Sequence, residues 1–577
     1  MNSEFKISSG NFSNTLSLET DENGIIYLKL KFHSENPEIP SNFSVQFFMP
    51  YIDIYSLWTP LTETPRVISP EGFWVKEHSG IAHGAPILSV ISKSGKNRMT
   101  IAVSDVKIAS AIKLRLYESK KEILVDTVLF TEVTNPITDY EVTIRIDNRD
   151  INYEDALYNV SKWWEAEYKP CFVPEAAKMP MFSTWYNYHQ HLNDDELLKQ
   201  CETAVKFGMK TIIIDDGWQT DDSRGGYAYC GDWNVSKSKI RDMEKLVGEI
   251  HKIGMEVILW YSVPFVGVNS ENFKKFEGKY LNKPVECGIL DPRFPECRKF
   301  SVELYKNAVL NWQLDGLKLD FIDSFKLTEY SSKEYEAMDY ISLEDAIEAL
   351  LKEINSELKK INPDFMIEFR QKYIGPAVRQ VGNMLRVNDC PCSSEQNKIG
   401  IADIRFLAGN TAVHADMIMW NNNDTVESAA YQMISTIYGV PQISVKLDKI
   451  TAQQKKMLEF YLKFWIENKK VLLEGKMTAE NPENGYSVIK SQLGREAVIT
   501  SYSKNDIDIS SLANGKIINA SGSKYIIVTI DKPVKFTVLD CMGNIVSADT
   551  LSNGIFKLFV PECGIINFFE RKIKNEK

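Results

Sequence analysis

Between residues 181 and 472 the chain carries eight short apolar runs, all but one followed by a longer stretch whose apolar residues recur at helical spacing. The runs fall at 181–188, 211–218, 256–263, 316–323, 365–371, 384–390, 413–420 and 442–447. Amphipathic helices are expected at 194–207, 241–253, 297–312, 342–361, 398–409, 425–438 and 451–471, with the 371–383 link short and irregular. Alternating strands and helices make βαβ units and a parallel sheet. Eight such units in about 290 residues predict a closed (β/α)8 TIM barrel, typically ~250 residues long.

On either side the periodicity changes to two. Before residue 150, runs at 25–33, 44–49, 98–103, 122–130 and 140–146 alternate at hairpin spacing, which predicts a β-sandwich. Alternation without helices returns after 477. The reading is a multidomain chain with an N-terminal β-sandwich (1–150), a helical linker (151–180), a catalytic barrel (181–475) and a smaller C-terminal β-sandwich (476–577).

Barrel enzymes build their sites from strand C-termini, so the charged residues ending these runs become candidates. Most telling is Asp315-Gly-Leu-Lys318-Leu-Asp320-Phe-Ile-Asp323. Side chains alternate along a strand, so Lys318 and Asp320 share the face opposite Leu317 and Leu319, and burying them is costly without a purpose. The other run ends supply Trp185; Asp215, Asp216 and Trp218; Trp260; Arg370 and Gln371; Arg386 and Asp389; and His414, Asp416 and Trp420. Carboxylates among aromatic rings suit a sugar, whose hydroxyls take charge-assisted hydrogen bonds while its apolar face lies on a ring. Taken singly, each has a structural reading: Asp215-Asp216-Gly217 as a cap and turn, Gly231-Asp232-Trp233 as a loop turn, Asp416 as a structural partner.

Together, Asp215-Asp216-Gly217-Trp218, Gly231-Asp232-Trp233, Lys318-Leu-Asp320 and Arg386-Val-Asn-Asp389 resemble glycoside hydrolase family 36, the retaining α-galactosidases, over the whole barrel. The resemblance implies Asp320 as nucleophile and Asp389 as acid/base. It also implies that Asp215, Asp216, Lys318 and Arg386 bind the sugar, with Trp185 and Trp260 as ring platforms, Trp233 in the pocket, and Trp58 lent by the N-terminal sandwich. The chain departs from the family at Arg370-Gln371, where a bulky pair would reshape the pocket near the sugar's second carbon, with Arg370 a further candidate sugar contact. An α-galactosaminide or α-N-acetylgalactosaminide is therefore a variant substrate, galactosyl transfer a variant reaction, and a non-catalytic sugar-binding barrel a variant function.

Electrostatically, Lys318 is expected to keep Asp320 ionised, while apolar walls and the Asp320 charge raise the Asp389 pKa, with Arg386 aimed at substrate. No cofactor is expected. His189 and His191 after the first run suggest a metal-dependent hydrolase, but such sites need further imidazoles and the chain has 7 histidines in all, so no metal site is expected. A net charge of -11 without a basic run argues against nucleic acid. The absence of an apolar leader or an 18-residue apolar run predicts a cytoplasmic protein with no membrane association, acting on a small oligosaccharide or glycoside. The 9 scattered cysteines are expected as free thiols. Oligomeric state is not encoded, although such relatives often form homo-oligomers.

Overall fold

The computed structural model describes residues 5–63, 66–68, 74–503 and 506–570. Strands from Lys6–Ser8 to Ile137–Asp147 form a five-stranded and a six-stranded antiparallel sheet. Their inner faces meet in a core that includes Leu30, Phe43, Ile101 and Ile144. The helix Tyr153–Glu165 then ties the three parts together: Trp164 Nε1 donates to Val103 O at 2.8 Å, and the Tyr153 and Tyr158 hydroxyls donate to Ala479 O and Met477 O at 2.7 and 3.0 Å. Strands from Lys476–Glu480 to Ile565–Glu570 build the C-terminal sandwich, with seven strands facing three.

The barrel strands are β1 (Met181–Ser183), β2 (Thr211–Ile214), β3 (Glu256–Ser262), β4 (Gly316–Asp320), β5 (Met366–Arg370), β6 (Met384–Arg386), β7 (Ala412–His414) and β8 (Gln442–Ile443). They form one parallel sheet from β7 through β6, β5, β4, β3, β2 and β1 to β8. Single bridges from His414 to Val440 and from Ile418 to Ile443 bring its ends together, so the expected barrel is nearly closed. Helices follow the strands, among them Asp194–Ala204, Met243–Ile253, Pro295–Trp312, Leu343–Ile361 and Ala452–Glu474.

Register stacks the lumen in layers. At the bottom Met181, Ile213, Ile258, Met366, Met384 and Ala412 form an apolar plug, each larger side chain contributing ~1.5–3 kcal/mol by burial. Above it Trp260 pairs with Lys318 and Lys318 with Glu368. Near the mouth Ser262 pairs with Asp320, and Arg370 with Arg386. An apolar floor beneath a charged layer positions the site.

Most strands are shorter than the apolar runs that announced them. β1 ends at Ser183, and Trp185–Tyr188 is a helical turn. β7 ends at His414, while Ala415 and Met417 beyond it stay buried without strand pairing and Ile418 makes a single bridge to Ile443. The loops of the mouth are packed and therefore as apolar as strands. Among the described residues, no helix is long and apolar enough to cross a membrane.

Candidate active site

Asp320 closes β4 with 6% of its surface exposed. Its Oδ1 accepts from Arg370 Nε at 2.5 Å, Phe321 N at 2.9 Å and the Tyr373 hydroxyl at 3.4 Å, while Oδ2 accepts from Trp260 Nε1 at 3.1 Å. Burial alone would raise the carboxyl pKa, but Arg370, then Lys318 and Arg386, outweigh it and hold the group well below the usual carboxylate range. The expectation that Asp320 stays ionised stands, with a different principal cation. Lys318 donates instead to Asp215 Oδ2 at 2.7 Å, and Arg370, at the end of β5 beyond the last paired residues Lys318 and Glu368, supplies the nearest charge.

Arg370 spends its donors on protein. Beyond Asp320 it reaches Gln371 O at 2.8 Å, Asn388 Oδ1 at 2.9 Å and Asp323 Oδ1 at 3.3 Å. The guanidinium expected among the sugar contacts is thus engaged with its own neighbours. Gln371 likewise turns its amide toward Pro60 O and its Oε1 toward Asn388 N.

The paired aspartates divide their work. Asp215 accepts from Lys318 and from Asp216 N. Asp216 accepts from Gln190 Nε2 at 2.8 Å and Gln219 Nε2 at 2.7 Å. Burial pushes its pKa up to about 6 despite these bonds. The two glutamines lie in loops after β1 and β2, with no motif to mark them. Tyr227 was also missed. Its ring stacks 6.4 Å from Trp260 and meets Phe321 edge-on at 5.1 Å, completing an aromatic wall beside Asp320.

Trp185 is half-buried on the turn after β1, with His189 edge-on to it at 4.7 Å. Trp233 is buried, stacked on Trp218 at 5.9 Å and edge-on to Trp260 at 5.9 Å. Asp232 caps the next turn by accepting from Glu271 N and Asn272 N.

Around β6 two expectations are corrected. Arg386 is fully buried and points at carboxylates: Nη1 lies 2.9 Å from Asp389 Oδ1 and 2.6 Å from Asp416 Oδ1, and Nε 3.4 Å from Glu368 Oε1. It does not turn away from Asp389, because a buried guanidinium must be paired where it lies. Nor is Asp389 walled by apolar groups, since its side chain is 48% exposed. Asp416 is the structural partner expected, holding Arg386, Cys390 N and the Tyr186 hydroxyl. His414 is buried between Ala177 O and Gln442, and burial lowers its pKa to about 4.

Trp58 lies elsewhere. It is fully buried beside Phe406 and donates from Nε1 to Asp403 Oδ1 at 3.0 Å, on the helix Ser394–Ala408. The N-terminal sandwich approaches the mouth through other contacts: Gly84 N donates to Lys372 O at 2.6 Å, and Glu63 pairs with Lys372 at 2.9 Å. Among the described residues no group of three His, Cys, Asp or Glu side chains could hold a metal ion.

Comparison with known proteins falls on the same region. A family model described as Melibiase matches residues 164–287. The α-galactosidase AgaA of Geobacillus stearothermophilus is 26% identical over 150 residues, which is 24% of this chain and 20% of that protein. The α-galactosidase Mel36A of Lactobacillus acidophilus is 24% identical over 107 residues, 18% of this chain and 14% of its own. The chain therefore aligns with a fifth or less of either relative's length. In structure the likeness is global. The AgaA crystal structure superposes with a TM-score of 0.68 at 13% identity, over 97% of this chain and 81% of that one. An α-galactosidase from Lactobacillus brevis gives 0.66 at 11% identity, over 100% and 87%. AgaA variants have also been solved with raffinose and with stachyose. The local sequence match and the shared multidomain fold make this chain similar to the α-galactosidases of glycoside hydrolase family 36.

Proposed function

We propose that the protein hydrolyses terminal α-linked galactosides of small oligosaccharides, or glycosides of a closely related sugar, by double displacement. The observation that carries this reading is Asp320: a carboxylate buried at the barrel mouth, kept ionised by Arg370, Lys318 and Arg386, and flanked by the Trp260 and Tyr227 rings. Asp320 attacks the anomeric carbon. Asp389, the exposed carboxyl one strand past Arg370, protonates the leaving oxygen and then deprotonates the water that resolves the glycosyl-enzyme. Asp215 and Lys318 bind the sugar's distal hydroxyls together with Asp216, and Trp185 and Trp260 frame the ring. Carboxyl groups outnumber cations around the mouth, which favours a neutral or amino sugar over an anionic one. An α-galactosaminide therefore belongs in the test panel. Double displacement needs no cofactor.

The test is hydrolysis of 4-nitrophenyl α-galactoside, α-galactosaminide, α-N-acetylgalactosaminide and α-glucoside by wild type and Asp320→Gly, with azide added. Expected is α-galactoside turnover that disappears in the variant and, with azide, a β-galactosyl azide. An α-configured azide, or full turnover in the variant, would reject Asp320 as nucleophile. Sugar binding without turnover of any glycoside would favour a binding protein.

A further inference from the structure

The two oxygens of Asp320 are unequally dressed. Oδ1 receives Arg370 Nε at 2.5 Å and Phe321 N at 2.9 Å, with the Tyr373 hydroxyl, whose single proton is shared with Leu319 O at 3.1 Å, at 3.4 Å, whereas Oδ2 receives Trp260 Nε1 at 3.1 Å. A carboxylate oxygen has about two lone-pair sites in its plane. Those of Oδ1 are saturated, and one on Oδ2 remains. Arg370 is itself immobilised by Asp323, Asn388 and Gln371 O, and its guanidinium lies over the Phe321 and Tyr373 rings at 5.2 and 5.7 Å. A planar fork held at that many points cannot follow a substrate hydroxyl. It can fix the rotation of the carboxylate it touches.

We propose, building on the hydrolase reading above, that Arg370 is a positioning residue that pins Oδ1 of Asp320 and so assigns the attack to Oδ2. In the first step an Oδ2 lone pair forms the bond to the anomeric carbon. The glycosidic C–O bond breaks, and its electron pair stays on the leaving oxygen, which takes the Asp389 proton. In the second step water attacks the same carbon and gives its proton to Asp389, and the Asp320 ester bond breaks with its electrons returning to Oδ2. Throughout, Oδ1 keeps its hydrogen bond to Arg370. The guanidinium then supports Asp320 as a leaving group as much as it orients it as a nucleophile. This gives the strand-five arginine a purpose that sugar binding, with its donors occupied, does not.

The groups facing Asp320 are Arg370 and Tyr373 from β5 and its loop, Lys318 from β4, Arg386 from β6, Asp323 from the following turn and Tyr227 from the loop after β2. Arg370 is the strongest of the lowering charges. Replacing it with Gln removes that charge, while burial and Asp323 remain on the raising side and Lys318 and Arg386 on the lowering side. Arg370→Lys keeps charge and loses the fork. In Arg370→Gln the acid limb of kcat/KM moves up in pH, so the loss of activity is largest at the acid end and shrinks as pH rises. Arg370→Lys lowers kcat without moving the limb. An unmoved limb in Arg370→Gln, or Arg370→Lys activity equal to wild type, would overturn the assignment. Infrared titration of the carboxyl stretch, with Asp320→Asn subtracted, reads the same shift without turnover. A shift there with no wild-type turnover would condemn the hydrolase reading and keep the Arg370–Asp320 linkage. No infrared shift would condemn the linkage whatever the activity.

Discussion

Two corners of one barrel mouth handle their carboxylates in opposite ways. At the β4–β5 corner Asp320 is 6% exposed and takes four hydrogen bonds, and its nearest cation is locked by three further partners. At the β6 corner the Asp389 side chain is 48% exposed, and its guanidinium is shared with Asp416 and Glu368. A nucleophile must stay charged and aimed, so fixed donors serve it. An acid/base must gain and lose a proton in each cycle, so contact with water serves it. The contrast fits the roles proposed for the two carboxyls.

The sharpest way to break it is Asp389→Ala. With a sugar leaving group that needs a proton, kcat/KM should fall roughly 10²–10⁴-fold. With 4-nitrophenolate, which leaves unprotonated, the loss in that ratio should be far smaller. Equal losses on both substrates would mean that Asp389 shapes the pocket rather than moves a proton. Swapped behaviour, with Asp320→Ala sparing the activated substrate, would reverse the two corners.

How much of this was legible follows the physics of each signal. The barrel was readable because seven of eight apolar runs lead into an amphipathic pattern, and both periodicities are local. Lys318 and Asp320 were readable because strand alternation puts them on one face. The Arg370–Asp320 pair was not, since it depends on β4 and β5 meeting in register, with Lys318 opposite Glu368, and a period of two leaves that register open. Gln190 and Gln219 reach Asp216 from loops whose paths tertiary packing decides. Arg386 was misread for a related reason. The expectation that it turns away from Asp389 failed because the fully buried guanidinium places Nη1 between Asp389 and Asp416, with Glu368 3.4 Å from Nε. The strand ends were overextended because a packed barrel mouth is apolar on both sides of the last ladder bond.

Asp216 gives an effect of intermediate size and sharpens the comparison from the sugar-binding side. It is 2% exposed and has only neutral side-chain donors in Gln190 and Gln219, and burial raises its pKa to about 6. A carboxyl whose folded pKa lies above its unfolded value binds its proton more tightly when folded. Its stabilising contribution is complete below the unfolded value near 3.8 and is lost as pH rises through about 6. At pH 7 the charged form weighs on the fold by on the order of 2–3 kcal/mol. Asp216→Asn should therefore be more stable than wild type at pH 7 and lose that advantage toward pH 4, while KM rises. Urea unfolding at both pH values measures it. Equal advantage at both would mean that the carboxylate is already relieved by solvent or by a partner.

The smallest effect tests whether the mouth is bounded where the structure bounds it. Trp58 sits at a junction of three parts of the molecule, where Asp403 accepts from Trp58 Nε1 at 3.0 Å, from Arg66 Nη2 at 2.5 Å and from the Tyr486 hydroxyl at 2.5 Å. Arg66 and Trp58 come from the N-terminal sandwich, Asp403 from a barrel helix and Tyr486 from the C-terminal sandwich. Trp58→Phe keeps a ring beside Phe406 and removes one of three donors from a buried carboxylate, a cost of about 1–2 kcal/mol. The unfolding midpoint should fall and kcat/KM should hold, because no atom of this junction belongs to either carboxylate corner. A tenfold fall in kcat/KM at unchanged stability would place Trp58 at the substrate after all. The sandwich would then be part of the catalytic pocket rather than its support, and the two corners would no longer account for the site.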